Sequence, residues 1–313
     1  MRRSGGGALG RTADLVAEVA RLRTHLNKLY RRLGVHSCTQ AAAVAPAAGE
    51  VAAHGRTAMG AMAPAPATRR GSAVPAAMLR HPLVFSLLVV AVAMLLDTLL
   101  GAALGRLAPG LPVLEIGLIT GATLSVVAGV ALWRLGWWRD VGFRIPTEAR
   151  ALLWFLPFLV YGLLPLGAGL RATSAGILAA AAAGLAIAFW KLAVLGLLVR
   201  AFQPQGTWRA ATVAAVLYGL LHLGGLLVGA AVGPTLLLSL SSLFLAFGFA
   251  AVRLRTGLLW PLVGCYALLL TTAAATQDIV TPNLAASIEV LAPAVAVSLL
   301  VALYGVFALG RAG

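Results

Sequence analysis

The apolar residues of this chain come in long blocks of about 20, which is the length that an α-helix needs to cross the hydrocarbon core of a bilayer. Of its 313 residues, 61% are hydrophobic and only 11% are charged. A soluble domain of this size cannot bury so much apolar surface, because its exterior needs polar cover. The sequence therefore predicts an all-α fold, a polytopic transmembrane helix bundle.

The blocks predict a transmembrane domain over residues 81–313 with eight spans. A turn that contains Gln277, Asp278, Pro282 and Asn283 separates the last two spans. The predicted spans are residues 83–105, 113–133, 151–170, 176–200, 209–232, 235–253, 257–276 and 289–309.

The Lys and Arg residues lie almost entirely on one side of this eight-span arrangement. Of the 24 Lys and Arg residues, 21 lie on one side of the membrane in this arrangement. They precede the first span, lie in or beside every second loop, or follow the last span. Arg106 and Arg171 lie on the opposite side, and Lys191 lies within a span. Because Lys and Arg concentrate in cytoplasmic loops, we predict that both termini are cytoplasmic and that the protein lies in the cell membrane.

The net charge of +15 could by itself indicate a nucleic-acid partner. The basic residues, however, lie between apolar blocks and in the first 80 residues, where they would face the surface of the membrane. Membrane lipids are therefore the expected partners and nucleic acid is not. No feature of the sequence specifies an oligomeric state.

The first 80 residues differ in composition from the rest of the chain. Residues 1–34 predict an amphipathic cytosolic helix, because Leu and Val side chains recur every four or three residues up to Gly34. This helix could form a short coiled coil, lie on the anionic cytoplasmic leaflet, or be a solvated, marginally stable helix. Residues 35–80, rich in Ala, Gly and Pro, predict a disordered linker. Met78 is an alternative start of translation.

Polar side chains within the predicted spans are candidates for function, since a charge at a span centre costs about 2.5–3.5 kcal/mol. Asp97, Lys191, His222 and Tyr266 stand at such positions. Tyr218 precedes His222 by four residues and joins it on one helix face. Lys191 and Tyr266 lie about 14 Å, and His222 about 20 Å, from the cytosolic ends of their spans. If the fourth, fifth and seventh spans pack together, these groups share one polar pocket near the midplane.

Structural roles are the alternative for each of these residues. His222 could be a neutral imidazole that bonds a neighbouring helix. Lys191 could extend towards the cytosol or pair with Asp97 as a buried ion pair. Small hydroxyl residues of the sixth span are predicted to serve helix packing, namely Ser239, Ser241 and Ser242.

No cofactor and no metal site is predicted. Cys38 and Cys265 fall in the N-terminal tail and within a span, and neither indicates a disulfide framework or a metal site. The chain contains no Walker phosphate loop, no HExxH and no CxxC motif.

Residues 187–268 resemble the CPBP family, the membrane proteins related to CAAX proteases and bacteriocin-processing enzymes that are also called Abi proteins. Residues 190–200 stand where the family has an EExxxRG motif followed by an apolar run. Tyr218 to His222 is similar to the family's FxxxH segment, and residues 253–261 are similar to its RTGSLWP turn. Residues 140–146 resemble the short GLRRP stretch that often precedes the family domain. The resemblance implies a CPBP-like core over residues 140–275.

Most positions that carry the family's chemistry hold other residues here. Trp190 and Lys191 stand at the positions of the paired Glu residues, and Leu195 at that of the motif Arg. Tyr266 stands at the position of the second His, and Leu270 at that of the Asn. In the family, the Glu and His residues line a cytosol-facing cavity and activate a water for peptide hydrolysis.

His222 is the motif residue that this chain retains. Without a carboxylate the site lacks a general base, and one His does not make a metal site. The resemblance thus implies the family's fold but a catalytically degenerate protein that binds a membrane or lipidated peptide or protein without cutting it. Two alternatives stay open: an active intramembrane CAAX-type endopeptidase with an altered site, and a small-solute carrier that uses Lys191 and Asp97.

Overall fold

The computed structural model describes residues 80–146, 149–276 and 288–310, with side chains described from Leu291 onwards in the last range. All of these belong to the second of the two units into which the chain divides, Gly71–Gly313. The predicted helix over residues 1–34, nearly all of the predicted linker and the turn that contains Asn283 lie outside the described residues. Those predictions stay untested.

The described chain folds into α-helices and short 3₁₀ segments, with no strand among the described residues. We number the α-helices in chain order. They are α1 (Pro82–Leu107), α2 (Val113–Leu135), α3 (Trp138–Val141), α4 (Leu156–Leu163), α5 (Ser174–Phe202), α6 (Thr207–Leu220), α7 (Val232–Thr256), α8 (Trp260–Thr276) and α9 (Ile288–Gly310).

Seven helical stretches in the described ranges are long and apolar enough to cross a membrane. They confirm the predicted all-α, polytopic membrane bundle, and the chain is an integral membrane protein. The seventh predicted span is shorter than expected, since α8 has only 17 residues. Such a helix rises about 26 Å, slightly less than the thickness of a typical hydrocarbon core. An eighth crossing therefore stays a prediction.

The third predicted span, residues 151–170, is not one continuous α-helix. A 3₁₀ segment, Ala149–Phe155, precedes α4, and a second one, Leu164–Ala168, follows it. Pro157 and Pro165 stand in the first turns of α4 and of the second 3₁₀ segment. Proline lacks the N–H group that a helix interior needs and crowds the preceding turn, so it interrupts regular α-helix.

The fifth predicted span also changes its winding, because α6 ends at Leu220 and a 3₁₀ segment, Leu221–Val228, continues it. Gly224 lies in this segment against α1. A Cβ atom there would lie 2.9 Å from Met94 Cγ and still closer to the Thr98 hydroxyl. The glycine therefore allows the two backbones to approach closely, and it weakens the α-helix. Tyr218 lies in α6 and His222 in the 3₁₀ segment, and the centres of their rings are 5.5 Å apart.

Helix α5 is the centre of the bundle and packs against α2, α6 and α8, while α7 packs against α6 and α9. Hydroxyl side chains connect several of these pairs. Ser239 Oγ donates to the carbonyl of Gly219 in α6 at 2.8 Å, and Ser241 Oγ hydrogen-bonds Ser298 Oγ in α9 at 2.8 Å. These two serines thus serve helix packing, as the sequence predicts.

The outer faces of the peripheral helices are apolar and exposed. In α1 and α2, Leu88 and Val126 expose 62% and 65% of their surface. Exposure of such faces to lipid costs little free energy, whereas their exposure to water costs much. They are therefore the surfaces that the bilayer covers.

Arg253 joins two segments that are far apart in sequence, at one end of the bundle. Its side chain is 4% exposed. Nε donates to the carbonyl of Val141 at 3.0 Å, and Nη2 donates to that of Asp140 at 2.7 Å. The last turn of α7 is therefore held against α3.

The neighbouring turn is held in the same way. Gly257 ends α7 in a left-handed conformation, φ +69°, and its carbonyl accepts a hydrogen bond from Arg144 Nε at 2.9 Å. Arg200, at the end of α5, forms an ion pair with the carboxylate of Asp140. The loops predicted to be cytoplasmic around α3, after α5 and after α7 thus lie together at one end of the bundle.

Candidate functional site

Lys191 lies in the middle of α5, the central helix, and its side chain is half-buried. Its ammonium Nζ lies 3.1 Å from Nε2 of His222. It also lies 5.7 Å from the ring centre of Trp190, within the range of a cation–π contact. The prediction that Lys191 and His222 lie near each other is confirmed by this distance.

The partners of His222 determine its tautomer. Its Nδ1 lies 3.4 Å from the carbonyl oxygen of Tyr218, which can only accept a hydrogen bond. Nδ1 therefore carries the ring proton, and Nε2 accepts a hydrogen bond from the ammonium of Lys191. The lone pair that a general base would use is already engaged by a cation.

Tyr218 and Tyr266 complete the cluster on the side towards α8. Tyr218 is 2% exposed and Tyr266 is 7% exposed. The Tyr218 hydroxyl forms no hydrogen bond of regular geometry among the described residues, and the Tyr266 side chain is the group that interacts with it most directly. A buried hydroxyl without a partner is costly, so this atom is available to a bound polar group.

Asp97 reaches the same cluster from α1. Its carboxylate and the ammonium of Lys191 attract each other electrostatically. The close approach of α1 at Gly224 explains this position, because the adjacent Thr98 packs directly on the 3₁₀ segment that carries His222. The structure therefore brings together Lys191, His222, Tyr218 and Tyr266, and Asp97 lies on α1, which packs against the 3₁₀ segment that carries His222.

The other degenerate motif positions do not join this cluster. Trp190 is 2% exposed and Leu195 is fully buried, both within the apolar core around α5. Leu270 is partly buried and packs against the same core. All three serve packing.

An apolar groove of about 300 Å³ adjoins the cluster. Helices α1, α2 and α5 line it, and Trp190 forms part of its wall. Because Trp190 contacts the ammonium of Lys191 on one side and the groove on the other, a cation stands beside an apolar channel. Nothing in the sequence pattern marks this groove, since its walls are ordinary apolar residues of three separate spans.

The cluster combines one amine, one imidazole, one carboxylate and two phenols. No group of three or more His, Cys, Asp or Glu side chains comes together in the described part of the chain. Cys265 lies apart, with its thiol 3.9 Å from the carbonyl of Phe155. An ammonium, an imidazole whose acceptor is occupied and a free phenol can bind an anionic or polar group.

Comparison of the chain with known proteins finds no match. No protein-family model matches the chain, no curated protein matches it, and no solved structure matches it.

Proposed function

We propose that this chain is a catalytically degenerate, CPBP-like membrane protein that binds a membrane or lipidated peptide through an anionic group and does not cleave it. The observation that carries the proposal is the hydrogen bond from the Lys191 ammonium to His222 Nε2. It holds the Lys191 side chain beside His222 in the centre of the bundle. In this proposal the protein lies in the cell membrane, with both termini in the cytoplasm.

The same hydrogen bond argues against hydrolysis. Activation of a water molecule needs a base with a free lone pair, and that of His222 is directed at Lys191. Asp97 provides a carboxylate, but among the described residues no carboxylate hydrogen-bonds His222, whose ring nitrogens face Lys191 and the carbonyl of Tyr218. A cation beside the unpartnered hydroxyl of Tyr218 instead favours a carboxylate, such as a peptide C-terminus.

The groove between α1, α2 and α5 supports a ligand with a lipid chain. Its wall includes Trp190, which also contacts Lys191. An acyl or prenyl chain in the groove would place the attached peptide end near the ammonium. Burial of such a chain contributes about 0.8 kcal/mol for each methylene group.

The test uses the full chain in phosphatidylcholine nanodiscs and a fluorescent prenylated peptide. One form of the peptide has a free C-terminal carboxylate and the other has a C-terminal amide. We expect the carboxylate form to bind about tenfold more tightly, since a charge-assisted hydrogen bond contributes about 1.5–3 kcal/mol. Lys191→Met should remove this difference, and mass spectrometry should find the peptide intact.

The control variant is Arg209→Met, which removes an exposed cation outside the cluster. It should leave the preference for the carboxylate form unchanged. Equal affinity for both peptides in the wild-type chain would overturn anion recognition. Cleavage by the wild-type chain that is lost in His222→Ala would overturn the non-catalytic assignment. Lys191→Glu returns one carboxylate to the site, yet we expect no cleavage because the other motif groups are missing.

A second function, small-solute transport, is favoured by the presence of two ionisable side chains, Asp97 and Lys191, within spans of the bundle. Buried charged pairs within spans are common in proton-coupled carriers. Its test is pH-dependent uptake of a labelled solute into proteoliposomes, with loss of uptake in Asp97→Asn. Uptake that does not depend on pH or on Asp97 would exclude this function.

A further inference from the structure

A second cavity lies at the end of the bundle, apart from the Lys191 cluster. Its volume is about 820 Å³, within the range of small-molecule sites. It is formed by α3 and the segment that follows it, by the end of α7 and by the turn before α8. We call it the arginine pocket, and its walls include Arg139, Arg144, Arg253, Trp138, Phe143 and Trp260.

The charges that line this pocket do not balance. Arg139, Arg144 and Arg253 face it together with one acidic residue, Asp140. The carboxylate of Asp140 is already paired with Arg200. The pocket therefore has an excess of three guanidinium groups. Arg139, Arg144 and Arg253 face one cavity, so an anion bound there would reduce the repulsion between their charges.

Hydrogen bonds to the backbone fix two of these guanidinium groups in position. Arg253 uses Nε and Nη2 to hold α3, and Arg144 uses Nε to hold the carbonyl of Gly257. Arg253 Nη1, and both Nη atoms of Arg144, have no hydrogen-bond partner among the residues that the structure describes. Arg139 is exposed and has no partner there either. Donors that are fixed in place before a ligand arrives bind it with a smaller entropic cost.

Aromatic rings form the other wall. Trp138, Phe143 and Trp260 line the pocket and contact one another, with ring centres 4.7 Å apart for Phe143 and Trp260, and Phe189 packs behind them. Trp260 remains 43% exposed. Tryptophan concentrates where a membrane meets water, and the pocket lies where α7 ends and α8 begins. The pocket is thus at the depth of lipid headgroups.

From these observations we infer that the arginine pocket binds a phosphate group. Arginine matches phosphate oxygens through paired N–H donors, and three arginines can surround one tetrahedral anion. The phosphate could belong to the headgroup of an anionic phospholipid or to a soluble phosphate. The inference does not depend on the proposed function, because no residue of the Lys191 cluster lines this pocket.

The test measures binding to the purified full chain in detergent by the quenching of tryptophan fluorescence, since Trp138 and Trp260 line the pocket. The probes are dioctanoyl phosphatidic acid, dioctanoyl phosphatidylcholine and inorganic phosphate. We expect saturable binding of phosphatidic acid and little of phosphatidylcholine. Arg139→Gln and Arg144→Gln should each weaken the binding of phosphatidic acid about tenfold.

The matched control is Arg134→Gln, an exposed arginine of the same end that does not line the pocket. Its affinity for phosphatidic acid should stay within about twofold of the wild-type affinity, because an exposed charge outside the pocket contributes little. If inorganic phosphate competes at millimolar concentration, the source is a soluble phosphate; if it does not, the source is a lipid headgroup. Absence of saturable binding, or equal weakening by Arg134→Gln and Arg144→Gln, would overturn the inference.

Discussion

The Lys191 cluster and the arginine pocket both contain basic side chains, but they are built in different ways. Lys191 reaches its partners by side-chain contacts within the bundle, whereas Arg253 and Arg144 are fixed to backbone carbonyls at its end. A backbone carbonyl accepts a hydrogen bond whatever side chain its residue carries. The arginine pocket is therefore part of the framework that holds helix ends together, and the cluster is an addition to a framework that α5 already provides.

The two sites also differ in depth, and topology is the most decisive test of that difference. Reporter fusions after Arg144 and after Arg255 should report the cytosol. Fusions near Arg171 and Asn283 should report the exterior, because basic loops stay on the cytoplasmic side. The result is all-or-none at each position, measured with paired phosphatase and fluorescent-protein reporters. A cytosolic signal at Asn283 would contradict eight spans.

Loss of Arg253 should cost far more stability than loss of Lys191. Arg253→Met leaves the carbonyls of Asp140 and Val141 without their donor, and we expect a decrease of about 3 kcal/mol in the free energy of unfolding. Lys191→Met removes one side-chain contact within the spans and should cost about 1 kcal/mol. Reversible unfolding in mixed micelles measures both.

The control for this pair is Arg209→Met, an exposed arginine, which should change stability by less than about 0.5 kcal/mol. If Lys191→Met proved as costly as Arg253→Met, the cluster would belong to the framework too. Its assignment as a binding site would then weaken.

Gly224 tests how α1 brings Asp97 into the cluster. In Gly224→Ala the new Cβ would lie 2.9 Å from Met94 Cγ, so α1 must move away. We expect a loss of about 1–3 kcal/mol. Gly233→Ala is the matched control, since a Cβ there meets nothing within 4 Å, and it should be neutral or slightly stabilising. Equal stability of the two variants would show that α1 does not depend on this contact.

The smallest effect is expected from removal of the first 77 residues. A chain that begins at Met78 should still insert, and its free energy of unfolding should change by less than about 0.5 kcal/mol. Both sites are formed by residues after Arg80. A marked loss of the folded membrane form would show that the amphipathic segment stabilises the bundle.

The helical class and the positions of the spans were predictable because apolar blocks directly determine them. The meeting of Lys191 with His222 was predictable from depth, since both lie well inside their spans. The 3₁₀ winding at Leu221–Val228 was not, because it results from the contact of Gly224 with α1, and a glycine alone does not reveal its neighbour.

The arginine pocket could not be predicted from the sequence, because the sequence does not distinguish Arg253 from Arg255. Both count equally as basic residues at a cytoplasmic helix end. Two residues along a helix differ by about 200° in direction. Arg253 accordingly points at α3 and is buried, while Arg255 lies over the ring of Trp154 at 5.0 Å. The distinction depends on which neighbour each face meets, and only the fold supplies that information.

The contact between Arg253 and the α3 carbonyls also has a consequence for biosynthesis. The two partners are 112 and 113 residues apart in the chain. Chains fold from the N-terminus as they are made, so α3 enters the membrane surface long before α7 exists. Until then its carbonyls must be hydrogen-bonded by interfacial water. The arginine pocket is thus a late product of synthesis, because a nascent chain that stops before α7 lacks Arg253 and the wall that α7 contributes.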